Sequence, residues 1–308
     1  MRFILPSILL SFIAVPAFAE TTPTLKEEAP LSRCAEFLKG MSIVEKGKGF
    51  AVRDSHDGCV LSNALFSSGD LMSWAFDRVE IEGDRLRDFV SDTPDMASSP
   101  PQWARLSIDG VRLSLKIDDK LTKFISSVQQ TPSDFTASYR FDPKDGYLHI
   151  QNAEMSNVRL GKVAISGEFN LPTESSIAEL AANPTATLSR LHLRLDNQGI
   201  WESLIVPSLA NVVFRAWSND DADPETAIAQ YITVASAAVQ AMPDGQIDAE
   251  SKKALLRFIQ DMPNPTGYFA LDLSFETPLP IGLSDLSPEK LAPRALSDAK
   301  MSVSYKAR

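Results

Sequence analysis

Three features of this sequence predict an α+β fold: a mostly antiparallel β-sheet with a helical section, at about 200–262, packed on its apolar face. Apolar residues alternate with period two through most of residues 103–171 and again at 191–195. The period lengthens to that of a helix after the turn at 196–199. Strand-like alternation then returns at 269–275 and 301–305. Clean alternation marks antiparallel strands with one face buried and the other wet. Helices gathered into one section, instead of interleaved with strands, define the α+β class.

The elements follow in order. Ile43 to Glu45 and Phe50 to Arg53 flank Lys46-Gly47-Lys48-Gly49, a composition that predicts a hairpin turn between short strands. Asp57-Gly58 predicts a second turn just before Cys59. Phe76, Val79 and Ile81 read as strand up to a Gly83-Asp84 turn, and the proline- and serine-rich stretch 91–101 reads as an exposed loop. Leu106 and Ile108 alternate up to Asp109-Gly110, after which Val111, Leu113, Leu115 and Ile117 resume the pattern. The interruption predicts a tight turn or a bulge. A short helix is expected over Leu121 to Val128.

The hairpin that follows is well marked. Phe135, Ala137, Tyr139 and Phe141 lead into Asp142-Pro143-Lys144-Asp145-Gly146, and Leu148 and Ile150 lead out. Proline fixes φ in such a turn and Asp-Gly tolerates positive φ. Val163, Ile165, Phe169 and Leu171 share one strand face, opposite Lys162, Ser166, Glu168 and Asn170. Leu191, Leu193 and Leu195 are expected to face inward, with Arg190, His192 and Arg194 outward.

Residues 200–217 read as a helix that Pro207 interrupts. Asp223 with Pro224 starts a second helix, whose stripe is Ile228, Tyr231, Ile232, Ala235, Val239 and Met242. Asp248 caps a third, with Leu255, Phe258, Ile259 and Met262 on its apolar side, and Pro263-Asn264-Pro265 stops it. Phe269, Leu271, Leu273 and Phe275, then Met301, Val303 and Tyr305, return to strand.

The first nineteen residues address the chain. Met1-Arg2 is a short positive start, Phe3 to Val15 is an apolar run, and Ala17-Phe18-Ala19 fits a small-x-small cleavage rule. The run falls short of the roughly 20 apolar residues a bilayer span needs, so a cleaved export signal is expected and a transmembrane anchor is not. Glu20 stands where a lipoprotein carries cysteine. The expected compartment is a bacterial periplasm. Residues 20–33 are polar with Pro23 and Pro30 and read as a mobile mature N-terminus, and 34–308 reads as a single domain.

Composition narrows the partners. The hydrophobic fraction is 44%, ordinary for a globular chain. The net charge is −10, with no basic cluster beyond Lys252-Lys253, which argues against nucleic acid and against docking on an anionic membrane surface. The only cysteines, Cys34 and Cys59, are expected to form one disulfide in an oxidising compartment.

Catalytic signatures are absent from the sequence. There is no Gly-x-Ser-x-Gly elbow, no His-Glu-x-x-His and no Walker-type loop, and Ser166-Gly167 and Ser68-Gly69 lack the flanking glycine of an elbow. Arg53-Asp54-Ser55-His56-Asp57 is the densest polar cluster, read as a polar turn in preference to a metal or acid–base site. His149 and His192 fall on the polar parity of strands and read as solvent-facing. Asp118-Asp119 ends a strand, and Asp220-Asp221-x-Asp223 supplies helix N-cap chemistry without the glycine and distal glutamate of a calcium loop. No metal and no cofactor are expected.

Segments 104–118, 135–150 and 155–171 each pair a short alternating stretch with a glycine-marked turn. The stretch FDPKDGYLHIQNAEMSNVRLGKVAISGEF resembles strand units of AsmA-like envelope proteins of Gram-negative bacteria, over roughly 135–171. There, too, a strand, an Asp-x-x-x-Gly turn, a leucine-x-isoleucine strand and a glycine-led strand follow in order. The resemblance implies a sheet whose apolar face meets lipid acyl chains, and it carries over no functional residue. On this chain that face would be Val163, Ile165, Phe169, Leu191, Leu193, Leu195, Phe269, Leu271, Leu273 and Phe275.

The leading expectation is therefore a non-catalytic periplasmic protein that binds or shields a hydrophobic ligand, a lipid foremost, in envelope maintenance. A module that holds an envelope protein partner is the alternative. An exported hydrolase, with a site assembled from distant residues, is the second alternative.

Overall fold

The computed structural model describes residue 34 and residues 44–67, 72–85, 100–115, 121, 131–173, 176, 178, 185–206, 224–282 and 297–308. Expectations for the export signal, the mature N-terminus, most of the 91–101 loop, nearly all of Leu121 to Val128 and residues 207–223 lie outside them. Asp118-Asp119 and Asp220-Asp221-x-Asp223 lie outside them as well.

Ten strands form a mostly antiparallel sheet whose spatial order follows the chain. They are β1 (Val44–Asp54), β2 (Gly58–Ser67), β3 (Met72–Gly83), β4 (Trp103–Leu115), β5 (Ser133–Asp142), β6 (Tyr147–Asn157), β7 (Gly161–Asn170), β8 (Thr185–Asn197), β9 (Gly267–Gly282) and β10 (Ala299–Lys306). Short connections join β1 to β2, β5 to β6 and β6 to β7, whereas those from β3 to β4, β4 to β5, β7 to β8, β8 to β9 and β9 to β10 are longer. Among the described residues, two α-helices lie between β8 and β9: α1 (Pro224–Ala241) and α2 (Ala249–Gln260).

The chain forms two compact units. The first comprises Met1–Gln130, Ser138–Leu148 and Leu171–Thr185, and the second Thr131–Ala137, His149–Asn170 and Ala186–Arg308.

In the first unit, β1 to β4 pair in antiparallel register. Leu61, Ala64, Val79 and Leu106 are buried, and Phe66 meets Phe76 edge to face at 4.9 Å between ring centroids. The expected turn at Lys46–Gly49 is not a turn. β1 runs straight through it, and the register slips between Lys46 and Ala51. Gly49 takes φ of +79°, so the surplus residues are absorbed as a bulge instead of reversing the chain. The interruption at Gly110 also differs from expectation. Arg78 pairs Asp109 and Ala75 pairs Arg112, so the register is unbroken and no residue is inserted. Gly110 is a left-handed kink, with φ of +70°, inside a continuous strand. The Asp57-Gly58 turn forms where expected, with Asp54 opposite Cys59. β2 itself carries no strong alternation and is seen only in the structure.

In the second unit, each of two buried asparagines closes a strand end. The Asn157 carboxamide donates to the Thr131 and Pro132 carbonyls and accepts from the Arg159 and Leu160 amides. The Asn197 carboxamide donates to Glu202 and the Pro265 carbonyl and accepts from the Gly199 and Trp201 amides. Each satisfies, from one side chain, backbone groups that the turn leaves unpaired. Trp201–Ile205 follows as a single π-helical turn.

Candidate functional site

The ten apolar residues expected to form a ligand face all belong to the second unit. Leu195, Phe269, Leu273 and Phe275 are buried in its apolar cluster, and Val163, Phe169, Leu191, Leu193 and Leu271 pack against that cluster while partly exposed. Ile165 stands 42% exposed. The pairings Val163 with Leu195, Ile165 with Leu193 and Gly167 with Leu191 put these residues on one face of β7 and β8.

A register shift between Glu168 and Phe169 then matters. Phe169 pairs Leu188, so Ser189 is the extra residue, and the even positions Ala186 and Leu188 turn to the face that Leu191, Leu193 and Leu195 occupy. Strict alternation from the leucine run predicts the opposite, which is why Leu188 was not legible as core. Leu279 and Ile281 extend the same face along β9, and Ala299, Met301 and Val303 supply it from β10.

From the helices, Val239, Met242, Phe258 and Ile259 join this cluster, with Ile232, Ala235 and Leu255 partly buried against it. Phe258 is the pivot. It stacks on Phe269 at 4.2 Å and meets Trp201 and Tyr305 edge to face, each at 5.3 Å. Such aromatic pairs add stabilisation beyond the area they bury. Asp248 caps α2 by accepting the Ser251 amide at 2.8 Å, and this bond holds its carboxyl below the ordinary value of 3.8.

Ser251 has a second role. Its hydroxyl donates to Asp248 and accepts the Val303 amide at 3.0 Å, while the Gln246 carbonyl accepts the Met301 amide at 2.7 Å. Two amides of the terminal strand β10 are thereby occupied, which blunts an edge that would otherwise invite another strand. The Tyr305 hydroxyl donates to Asp261, and burial, then that carboxylate, pushes its pKa up to about 12.

The opposite face of β7 and β8 is polar. Lys162 is paired in register with Asp196, Ala164 with Arg194, Ser166 with His192 and Glu168 with Arg190. Ion pairs cross it: Lys162 with Glu154 at 2.7 Å, Arg190 with Glu168 at 3.5 Å and Arg308 with Asp196 at 2.9 Å. His192 is bound through Nδ1 to the Asp272 carboxylate. A depression of about 310 Å³ in the second unit is lined by His149, Gln151, Asn152, Ala164, Ile165, Ser166, His192 and Arg194. The sequence places both histidines on polar strand parity. It does not reveal that the two line one depression, or that Asp272, 80 residues away, orients one of them.

Cys34 and Cys59 form a disulfide with Cα atoms 5.6 Å apart. The Arg53–Asp57 cluster is divided: the Asp54 carboxylate accepts the Cys34 amide, whereas His56 pairs with Asp57 at 2.8 Å and its side chain is 96% exposed. Among the described residues no three His, Cys, Asp or Glu side chains gather as a metal site. No helix among them is long and apolar enough to cross a membrane. No protein-family model matches the chain, and no curated protein matches it.

Proposed function

We propose that this chain is an exported, non-catalytic protein that binds or shields a hydrophobic ligand, with lipid the foremost class, in the cell envelope. On this reading the helical section at about 200–262 lies over the apolar face of the sheet and governs access to it. One observation carries the reading. Val163, Ile165, Leu191, Leu193 and Leu271 have the parity of a core, yet they remain partly exposed while their neighbours Leu195 and Leu273 are buried. Burying one such side chain is worth roughly 1.5–3 kcal/mol, so a row left half-covered favours an apolar occupant. The disulfide suits an oxidising compartment. On α1 the small Ala235 packs against the cluster, beside Ile232 and Val239.

The partner-holding alternative is weakened at one place. A strand-adding partner on β10 finds the Met301 and Val303 amides already occupied. Native mass spectrometry of the protein from periplasmic extract, followed by solvent extraction, tests the proposal. A stoichiometric hydrophobic species is expected, and Ile232→Trp should reduce it while leaving the fold intact. Protein that carries no extractable hydrophobic molecule would remove the proposal.

A further inference from the structure

Independently of any apolar ligand, we infer that the depression lined by residues of β6, β7 and β8 is a binding site for a phosphate monoester. The chain carries a net charge of −10, so an anion is attracted only where cations are locally concentrated and carboxylates are kept away. The depression gathers three basic side chains, and the one carboxylate bound to any of them is Asp272, on His192. His149, His192 and Arg194 line it together with Ser166, Gln151 and Asn152, and no Asp or Glu lines it.

Arg194 differs from the cations around it. Lys162, Arg190 and Arg308 are each held by a carboxylate, whereas Arg194 has no carboxylate partner among the described residues. A guanidinium presents a planar fork of donors matched to phosphate oxygens. Arg194 lies opposite Ala164 in the pairing with β7, so no long side chain stands across from it on that strand.

His192 is held in a defined orientation. The Asp272 carboxylate can only accept, so Nδ1 carries the proton and Nε2 is the remaining ring nitrogen. The Arg194 guanidinium, beside Ser166 and Gln151, offers more donors than the two oxygens of a carboxylate use, and these suit a phosphoryl group. A volume of about 310 Å³ leaves room for the group esterified to it. The phosphoryl group belongs either to a small soluble ester or to a lipid headgroup.

Titration of the full mature chain with inorganic phosphate, followed by NMR of the histidine ring resonances, tests the inference. Saturable shifts of His149 and His192 in the millimolar range, without shifts of His56, are expected. Arg194→Gln should weaken the affinity roughly tenfold, whereas Arg190→Gln, on the same face but outside the depression, should leave it unchanged. Arg194→Lys should recover part of the loss, which shows that charge and not folding is at issue. Sedimentation with vesicles of equal parts phosphatidylcholine and phosphatidic acid then separates the sources. Arg194-dependent co-sedimentation assigns a lipid headgroup, and phosphate binding without co-sedimentation assigns a soluble ester. Absence of saturable histidine shifts, or equal affinity in the Arg194→Gln and Arg190→Gln variants, would overturn the inference.

Discussion

β1 to β4 of the first unit and β8 to β10 of the second solve the same problem with different means. In the first, described strands pair with one another over a modest set of buried side chains, Leu61, Ala64, Val79 and Leu106 among them, and a disulfide ties Cys34 to the start of β2. In the second, side chains of α1 and α2 share a buried cluster with those of the strands, aromatic rings interlock around Phe258, and two β10 amides are occupied from outside the sheet. A cross-link acts chiefly by limiting the unfolded chain. A packed cluster acts through area removed from water and through close contact. The comparison teaches that the two regions should fail under different treatments.

The largest effect is expected from Phe258→Ala, which empties the centre of the second unit's cluster. A loss of about 3–5 kcal/mol should appear in urea unfolding. Replacing both cysteines by serine should cost about 3 kcal/mol, and hydrogen exchange should quicken in β1 and β2 while the β9 and β10 amides stay protected. Exchange that quickens equally in both regions would break the comparison. Thiol labelling of unreduced, denatured protein should correspondingly find no free thiol.

Gly110→Ala places a side chain in a left-handed position and against the Asp77 carboxylate, which also pairs with Arg112. A loss of roughly 1–2 kcal/mol is expected from the backbone alone, and thermal melting would register it.

The smallest effect concerns pH. The Asp248 carboxyl has a folded pKa below its ordinary value because the Ser251 amide donates to the charged form. Its contribution is therefore fully present above the unfolded pKa near 3.8 and is lost as pH falls through the lower folded value. Wild type and Asp248→Asn should differ at neutral pH in exchange at the start of α2, and the difference should shrink in that acid window.

Much of the second unit was legible because its residues obey simple periods. The leucines at 191, 193 and 195, the β9 run from Phe269 to Phe275 and the capped stripe of α2 all lie where alternation or helical spacing puts them. Legibility ended where geometry departs from the period. The extra Ser189 turns Leu188 inward, and the surplus at 47–50 makes a bulge out of what reads as a hairpin. Both differ from a regular strand only in residue count against a partner, which one strand cannot reveal. The polar depression was illegible for a related reason. Its donors come from three strands, and the Asp272 that orients His192 arrives from a fourth.

On the proposed function, the half-covered apolar row of the second unit, and not the apolar residues of the first, receives a hydrophobic ligand. Methyl-labelled mature protein titrated with monomeric dodecanoate, below its micelle concentration, tests this most directly. Saturable shifts are expected at Val163, Ile165, Leu191, Leu193 and Leu271, with Leu61, Val79 and Leu106 unmoved. Methyl spectra that stay unchanged, or that shift equally in both units, would contradict it.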